Sequence, residues 1–309
     1  MRIAIFGVGG VGGYFGGRLA QTDHEVIFIA RGAHGDAIRE NGLRITSDSG
    51  DLIVFPSLVT DDPAQAGVVD ALILATKTWQ VTEAANAMRP MIGDDTMVVP
   101  LLNGVEAPAQ IAAQLGEQHA LGGFCRVLSR IEAPGHVVQG GISPFVAFGE
   151  LDNSETERLH KLREAFEQAG VAVHATPDIQ AAMWQKLLFI ASFGGVGAVT
   201  RVPAGMMRRV PEVMQLVQDA MAEVAAVAVV RGIGMASDGV AQGMAFFESL
   251  PDEAMASMQR DIMNGQPSEL DAQNGAVVRL GAEAGFPTPT HCFIYTALLP
   301  SERMARNLL

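Results

Sequence analysis

Hydrophobic and polar positions follow two different periods along the chain. Up to about residue 176, short apolar runs alternate with turn residues and amphipathic segments, a pattern typical of strands joined by helices. Beyond it, apolar positions recur every three or four residues, which predicts helices over 179–193, 210–231, 240–250, 253–263 and 270–284. We therefore expect an α/β domain over residues 1–176 and an all-helical domain over residues 177–309.

A glycine-rich turn follows the first apolar run, residues 2–6, and residues 25–29 form the next predicted strand. Gly7 permits a tight turn, Gly9 lets the backbone approach a pyrophosphate, and Gly12 allows close packing of the following helix. The candidate cofactor-binding residues of this turn are Gly7, Val8, Gly9, Gly10, Val11 and Gly12. Their context predicts a Rossmann-type doubly wound sheet that binds a dinucleotide; a glycine-rich turn without a ligand is the alternative.

The end of the second strand bears on which nicotinamide cofactor is used. An acidic residue there binds the ribose 2′-hydroxyl of NAD, whereas a basic residue accommodates the 2′-phosphate of NADP. Here the strand runs into Arg31, and neither Glu25 nor Asp36 occupies the carboxylate position. The sequence favours NADP, with a solvent-facing Arg31 as the alternative.

Two later strands end at polar side chains. Residues 71–75 lead to Lys77, and residues 97–101 lead to Asn103 and Gly104. Because ligands bind beyond the carboxyl ends of strands in open α/β sheets, Lys77 and Asn103 are candidate site residues. Asn103-Gly104 can instead be only a turn.

Further elements complete the predicted first domain. Residues 43–46 and 52–55 form a hairpin, and residues 145–148 form a later strand of the same mixed sheet. Residues 154–157 read as a capping box that opens a helix ending at Gly170.

Lysine is rare in this chain: most of the 21 basic residues are arginine, and only Lys77, Lys161 and Lys186 are lysine. A partly buried lysine can exchange a proton near neutral pH, whereas arginine cannot. Lys186 shares an apolar helical stripe with Ile179, Met183, Leu187 and Ile190, and we interpret it as a candidate general acid, with Glu269 as a carboxylate partner. A lysine that only reaches from the domain edge to solvent is the alternative.

Composition narrows the function classes. A net charge of −13 without a basic patch argues against nucleic acid as a partner. Cys125 and Cys292 lie far apart without metal-ligand spacing, so we expect neither a disulfide nor a metal site. The apolar stretches 187–200 and 221–230 are short or interrupted, which predicts no membrane span, and the N-terminus lacks a signal pattern. We expect a cytoplasmic protein, and apolar positions over 214–230 make a homodimer a reasonable hypothesis.

An ordered series of motifs over nearly the whole chain resembles the ketopantoate reductase family. The residues that carry the resemblance are Gly7-x-Gly9-x-x-Gly12, Arg31, Lys77-Thr78-Trp79-Gln80, Asn103-Gly104, Trp184-Gln185-Lys186-Leu187, Ser257-Met258-x-x-Asp261 and Glu269. The resemblance implies NADPH-dependent reduction of 2-dehydropantoate to (R)-pantoate on the route to pantothenate. It implies that Lys186 protonates the carbonyl oxygen and that Glu269 orients substrate and lysine. It further implies that Lys77 and Asn103 lie where cofactor and substrate meet, and that Ser257 binds the substrate carboxylate.

The chain departs from the family pattern just after the lysine. The pattern commonly has asparagines four and eight residues beyond it, where this chain has Ile190 and Gly194. A pocket without those amides can hold a different 2-keto acid. Two other functions therefore stay open: an NADPH-dependent reductase of another 2-keto acid, and a non-catalytic NADPH-binding sensor.

Overall fold

A computed structural model describes all 309 residues. Its strands are β1 (Arg2–Phe6), β2 (Glu25–Ile29), β3 (Leu43–Thr46), β4 (Leu52–Val54), β5 (Leu58–Thr60), β6 (Ala71–Leu74), β7 (Met97–Pro100), β8 (Leu121–Arg126), β9 (Ser129–Ala133), β10 (His136–Gln139), β11 (Phe145–Glu150) and β12 (Ala172–Val173). Its helices are α1 (Gly10–Leu19), α2 (Gly32–Asn41), α3 (Val81–Ala87), α4 (Ala107–Leu115), α5 (Glu157–Gln168), α6 (Ile179–Thr200), α7 (Ala204–Arg208), α8 (Pro211–Val230), α9 (Gly239–Ser249), α10 (Ser257–Met263), α11 (Ala276–Glu283) and α12 (Pro289–Ala305). A π-helical turn, Asp271–Gly275, leads directly into α11.

A five-stranded parallel sheet forms the centre of the N-terminal part, in the order β5-β2-β1-β6-β7. Every residue of β6 and β7 is buried, as expected for parallel strands covered on both faces. The chain leaves β1 toward β2 on one side and returns to place β6 on the other. The carboxyl ends of β1 and β6 therefore flank the topological switch point, where ligands bind in such sheets. The predicted fold class is confirmed.

Two smaller sheets accompany the parallel sheet. The predicted hairpin of β3 and β4 is confirmed, but it belongs to a four-stranded sheet, β4-β3-β10-β9. The prediction that residues 145–148 join the main sheet is wrong: β11 lies in a three-stranded sheet, β12-β11-β8. The glycine-containing strand β8 pairs with β11 along its whole length, and one isolated β-bridge joins Ala120, just before β8, to Val98 of β7.

Helix α5 begins two residues later than the predicted capping box. Thr156 is the N-cap, and its Oγ1 accepts a hydrogen bond from the backbone N–H of Leu159 at 3.4 Å. Ser154 instead donates its backbone N–H to Asp152 Oδ1 at 2.9 Å, in a local turn. Both hydroxyl residues suit a cap by type, so the sequence alone could not decide between them.

The chain forms two compact units. One comprises Met1–Leu102 and Ala107–Ile179, and the other comprises Asn103–Glu106 and Gln180–Leu309. We expected a single boundary at residue 176; the contacts also assign the loop that follows β7 to the helical unit. Each unit has its own hydrophobic core, with Phe15 and Phe28 in the first and Phe247 in the second.

Glycines in α6 let buried amide side chains approach the helix closely. The predicted helix ended at residue 193, before the glycines, whereas α6 continues to Thr200. A Cβ at Gly195 would lie 2.6 Å from Asn274 Nδ2, and one at Gly197 would lie 2.5 Å from Gln259 Oε1. The glycines therefore serve side-chain packing and do not end the helix.

Two helices are long and apolar enough to cross a membrane by length and composition. They are α6, with 67% of its apolar window buried inside the protein, and α8, with 33% buried. The expectation that the apolar stretches 187–200 and 221–230 are too short is wrong, because each is part of a longer helix. Core helices also meet this criterion, and most of α6 packs inside the helical unit.

A fully buried histidine makes the stability of the helical unit depend on pH. Asn274 Nδ2 donates to His291 Nδ1 at 3.0 Å, and His291 Nε2 donates to the Ala220 carbonyl at 3.0 Å. The Glu223 carboxylate accepts from the backbone N–H groups of Thr290 and His291 at 2.7 and 2.9 Å. Burial lowers the pKa of His291, against the opposing effects of the Ala220 carbonyl and Glu223.

We therefore expect the protein to lose stability as the pH falls below the ordinary histidine pKa. In that range the histidine is protonated in the unfolded chain but stays neutral in the folded chain. The contribution of His291 to the free energy of unfolding is therefore fully present above the unfolded pKa and declines as the pH falls below it. Between pH 7.5 and 5.5 the loss attributable to His291 is at most about 1.4 kcal/mol. Urea unfolding at the two pH values measures it. The loss should shrink in His291→Gln and persist in His160→Gln, an exposed control; an unchanged loss in His291→Gln would contradict the assignment.

Candidate functional site

The glycine-rich turn between β1 and α1 has the backbone geometry that a dinucleotide site needs. Gly7 has a φ of +93°, a left-handed conformation that favours glycine. A Cβ at Gly12 would overlap the carbonyl oxygen of Gly7, so the helix can pack against the turn only without a side chain there. The turn is therefore fixed by residues that lack side chains.

The same turn offers an open approach for an anion at Gly9. Nothing lies within 4 Å of where a Cβ of Gly9 would stand. No side chain caps α1, and its first turn contains no acidic residue, so its N-terminal N–H groups and helix dipole can meet a pyrophosphate. Gly10 instead packs against the backbone of Ser129, and Val8 is buried in the core. The turn therefore has the features that a dinucleotide requires, and the space beside Gly9 is open.

Arg31 follows the last residue of β2 by two positions, in the region that distinguishes the two nicotinamide cofactors in Rossmann folds. It is exposed and is the N-cap of α2. Asp36, the nearest downstream carboxylate, forms an ion pair with Arg39 at 2.8 Å. The chain segment that leaves β2 therefore presents a cation, and the first carboxylate downstream of it is paired.

Lys77 is exposed, unlike the half-buried Lys186. It precedes a short 3₁₀ turn, Thr78–Gln80, and the side-chain oxygen of Gln80 accepts its backbone N–H at 3.2 Å. Its Nζ lies 5.8 Å from the ring centroid of Trp79, which is itself 42% exposed. Lys77 lies beyond the end of β6 on a capped turn, where its long side chain can reach a ligand.

Asn103 and Glu269 are in direct contact within the helical unit. Asn103 Nδ2 donates to Glu269 Oε2 at 2.7 Å, and Gln273 Nε2 lies 3.5 Å from the same oxygen. Gly104 has a φ of +91°, and a Cβ there would lie 2.8 Å from the carbonyl oxygen of Ala272. Asn103-Gly104 is a turn, as the alternative interpretation allowed, and it also docks on the segment that carries Glu269.

Ion pairs of Arg279 join the loop that carries Asn103 to the segment that carries Glu269. Arg279 Nη2 contacts Glu106 at 2.8 Å, and Arg279 Nη1 contacts Asp271 at 2.8 Å. Burial opposes the charge of Arg279, but the hydrogen bonds to Glu106 and Asp271 raise its pKa above the ordinary value. Because Asp271 lies two residues after Glu269, these ion pairs fix both segments that form the Asn103–Glu269 contact.

Glu269 is also held from its N-terminal side. The carboxylate of Glu302 in α12 is buried and accepts hydrogen bonds from the backbone N–H and hydroxyl of Ser268. Arg306 donates to Glu302 and to the Ser268 carbonyl, which neutralises the buried charge. Ser268 precedes Glu269, so α12 sets the position from which the Glu269 side chain extends.

Lys186, Ile190 and Gly194 lie on successive turns of α6. Lys186 and Ile190 are half-buried and Gly194 is buried, in a helix that is apolar on all sides. Ser257 is the first residue of α10 and is exposed. Its neighbours Ala256 and Met258 would each lie 3.3 Å from a Cβ at Gly194, so Ser257 stands beside the part of α6 that faces Gln273.

Sequence reasoning missed Gln273, Ser268 and Glu302. Each is buried and polar. Gln273 could have been noticed as an amide one helical turn after Glu269 on the same helix face. Nothing in the sequence pointed to Glu302, which belongs to a helix that the periodicity analysis did not predict. No group of three or more metal-ligating side chains is placed to hold a metal ion.

Comparison with known proteins identifies the family. Residues 3–153 match the family described as ketopantoate reductase PanE/ApbA, and residues 178–302 match its C-terminal domain. The chain belongs to the ketopantoate reductase family. It is an oxidoreductase of that family, and the predicted resemblance is confirmed.

Members of the ketopantoate reductase family and their neighbours resemble the chain over nearly its whole length. A ketopantoate reductase structure from Ralstonia eutropha JMP134 is 31% identical, with a TM-score of 0.89, covering 99% of this chain and 100% of its own. A 2-dehydropantoate 2-reductase from Mesorhizobium japonicum is 29% identical over 94% of both chains. A D-mandelate dehydrogenase structure with NADH and anilino(oxo)acetate is 25% identical, with a TM-score of 0.87 and 99% of both chains covered.

Substituting Gly9 and Gly12 separates cofactor approach from packing. Gly9→Ala should leave the free energy of unfolding unchanged because its Cβ meets open space, yet weaken NADPH binding at least about tenfold by blocking the pyrophosphate. Gly12→Ala should lower the free energy of unfolding by about 1–3 kcal/mol through overpacking. Urea unfolding and titration of NADPH fluorescence measure the two effects. Equal NADPH affinity in Gly9→Ala and wild type would show that the turn does not bind the cofactor.

Proposed function

We propose that the chain reduces a 2-keto acid with NADPH, and that 2-dehydropantoate is the substrate and (R)-pantoate the product. The observation that carries this proposal is the 2.7 Å hydrogen bond from Asn103 to Glu269. It joins two residues predicted for the substrate site from segments far apart in sequence. The family membership of both parts of the chain supports the same reaction class.

Lys186 acts as the general acid in this proposal. Bound NADPH supplies the hydride that reduces the carbonyl carbon. Negative charge then develops on the carbonyl oxygen, and an ammonium group placed there stabilises the transition state more than the ground state. Lys186 donates its proton to that oxygen, and half-burial on α6 limits competition from water.

Asn103 and Glu269 position the substrate. The Asn103 amide holds one carboxylate oxygen of Glu269, which leaves the other free to accept a hydrogen bond from substrate or from a protonated lysine. Ser257, exposed at the start of α10, offers a hydroxyl for the substrate carboxylate. Lys77 lies beyond the end of β6, where it can contact cofactor and substrate.

Arg31 supports NADPH over NADH. It is the cation at the end of β2, and the nearby carboxylate of Asp36 is paired with Arg39. The related D-mandelate dehydrogenase was solved with NADH, so family membership alone does not favour one cofactor.

A reductase of another 2-keto acid is the second candidate. Ile190 and Gly194 favour it, because neither supplies a side-chain amide to a substrate, and one structural neighbour is a D-mandelate dehydrogenase. A non-catalytic sensor would have no need for the lysine and the held carboxylate that this chain retains.

The proposal extends to the setting of the enzyme. It would act in pantothenate biosynthesis in the cytoplasm, where both free cysteines, Cys125 and Cys292, would stay reduced. Val229 and Val230 at the end of α8 are 65% and 52% exposed, and we propose that such apolar positions contribute to a homodimer.

Replacing Lys186 tests the proposed chemistry. Wild-type protein should oxidise NADPH when 2-dehydropantoate is added, measured by absorbance. Lys186→Met keeps the apolar stem but removes the proton donor, so kcat should fall by about 10²–10⁴-fold. Lys161→Met, which alters an exposed lysine paired with Glu157 in α5, should leave kcat unchanged. NADPH binding without oxidation for any 2-keto acid would favour the sensor, and turnover of other acids alone would favour the second candidate.

Replacing Arg31 tests the choice of cofactor. Arg31→Ala should raise the KM for NADPH at least about tenfold while leaving the KM for NADH nearly unchanged, because only NADPH carries the 2′-phosphate. Arg44→Ala removes an exposed cation of β3, which pairs with Asp51, and serves as the matched control. Equal effects of Arg31→Ala on both cofactors would rule out a specific phosphate contact.

A further inference from the structure

Gln273 holds an unsatisfied carboxamide oxygen inside the helical unit. The residue is only 1% exposed, and its Oε1 has no hydrogen-bond partner within the protein. Most buried polar atoms in folded proteins have a partner, because leaving an acceptor unpaired reduces stability. Gln273 differs from other buried amides of this unit in lying beside the candidate site residue Glu269, so its unpaired acceptor is placed to bind a ligand there.

Gly194 provides the space that this oxygen faces. A Cβ at Gly194 would lie 3.8 Å from Gln273 Oε1 and 3.3 Å from both Ala256 Cβ and Met258 Cε. A methyl group would already be tight, and a longer side chain would occupy the place of the amide. Gly194 and Gln273 therefore share one small space, which a side chain at position 194 would take from the carboxamide.

Candidate site residues border this space on two sides. Ser257 lies between Ala256 and Met258, and Glu269 lies one turn before Gln273, whose backbone N–H donates to the Glu269 carbonyl at 3.0 Å. The turn is π-helical, with the Gly275 N–H bonded to the Leu270 carbonyl at 3.0 Å. Such turns are frequent at functional sites because they redirect side chains within a helix.

We propose that Gln273 determines substrate specificity by accepting a hydrogen bond from a hydroxyl group on the side chain of the 2-keto acid. The inference rests on the proposed function and deepens it. The π-helical turn then supplies the amide that position 194 lacks. A site built to bind a substrate hydroxyl discriminates against the analogue without it, because the buried acceptor stays unpaired.

The discriminating pair of substrates is 2-dehydropantoate and 3,3-dimethyl-2-oxobutanoate, the same acid without its hydroxyl. Wild-type protein should have a kcat/KM at least about tenfold higher for 2-dehydropantoate. Gln273→Met preserves the length of the side chain and removes the oxygen. It should raise the KM for 2-dehydropantoate, leave that for the deoxy acid unchanged, and bring the ratio of the two kcat/KM values near one.

Gln259 offers a matched control. Gln259 is fully buried, and its Oε1 also lacks a partner. It lies opposite Gly197 of α6, the helix that contains Gly194, and its Nε2 donates to the Val202 carbonyl at 3.0 Å. Gln259→Met should leave the substrate ratio unchanged. Urea unfolding adds a readout that separates roles: Gln273→Met should be as stable as wild type or more so, whereas a purely structural glutamine would lose stability.

The coupling of Gly194 and Gln273 gives a second measurement. Gly194→Asn alone should impair use of 2-dehydropantoate, because two amides compete for one space. Combining it with Gln273→Met should restore the ratio of the two kcat/KM values.

If Gln273→Met does not fold, Gln273→Leu removes the same oxygen. A ratio near one in wild type, or one that survives loss of the Gln273 oxygen, overturns the inference alone. Reduction of neither acid overturns the proposed function as well.

Discussion

The hydrogen bond from Asn103 to Glu269 is the contact on which the candidate site depends. It draws the loop after β7 into the helical unit, where Gly104 lies against Ala272 and Glu106 pairs with Arg279. It directly joins a carboxylate and an amide from remote parts of the chain, and the neighbouring contacts support that geometry. Charge-assisted hydrogen bonds are shorter and stronger than neutral ones, which suits a contact that must define geometry.

Buried polar groups in the helical unit follow two arrangements. Side-chain amides of Gln259, Gln273 and Asn274 lie against α6 where that helix has glycine, and several of their oxygens have no partner in the protein. Each unpaired acceptor lowers the free energy of unfolding, so these amides are held in position at a cost in stability. The buried Glu302 shows the opposite solution, since Ser268 and Arg306 pair with its carboxylate.

Much of the fold could be predicted from local pattern. The strands flanking the glycine turn, the hairpin and the existence of a helical second part follow from periodicity and turn residues, which act over short distances. The sheet that contains β11 could not be predicted, because strand pairing depends on β8, whose glycines hide its alternation. The extent of α6 was missed for a related reason: glycines that signal a helix end elsewhere are here required by side chains from other segments.

The candidate site shows the same division. Motif residues such as Lys186, Asn103 and Glu269 could be singled out because their types and spacing carry chemistry. Their supports could not, since Glu302 and Gln273 matter through contacts that only the folded chain creates. The exposure of Lys77 also depends on the turn that follows β6, which hydrophobic pattern does not describe.

The clamp of Glu302 and Arg306 on Ser268 has a consequence for how the protein is made. The carboxylate of Glu269 sits on a segment that is anchored by the last helix, only a few residues from Leu309. During synthesis the strands of the N-terminal sheet emerge before α12, so the sheet can fold while the segment that carries Glu269 still lacks its clamp. The Glu269 segment acquires its fixed position only once α12 has formed and its Glu302 and Arg306 side chains have reached Ser268.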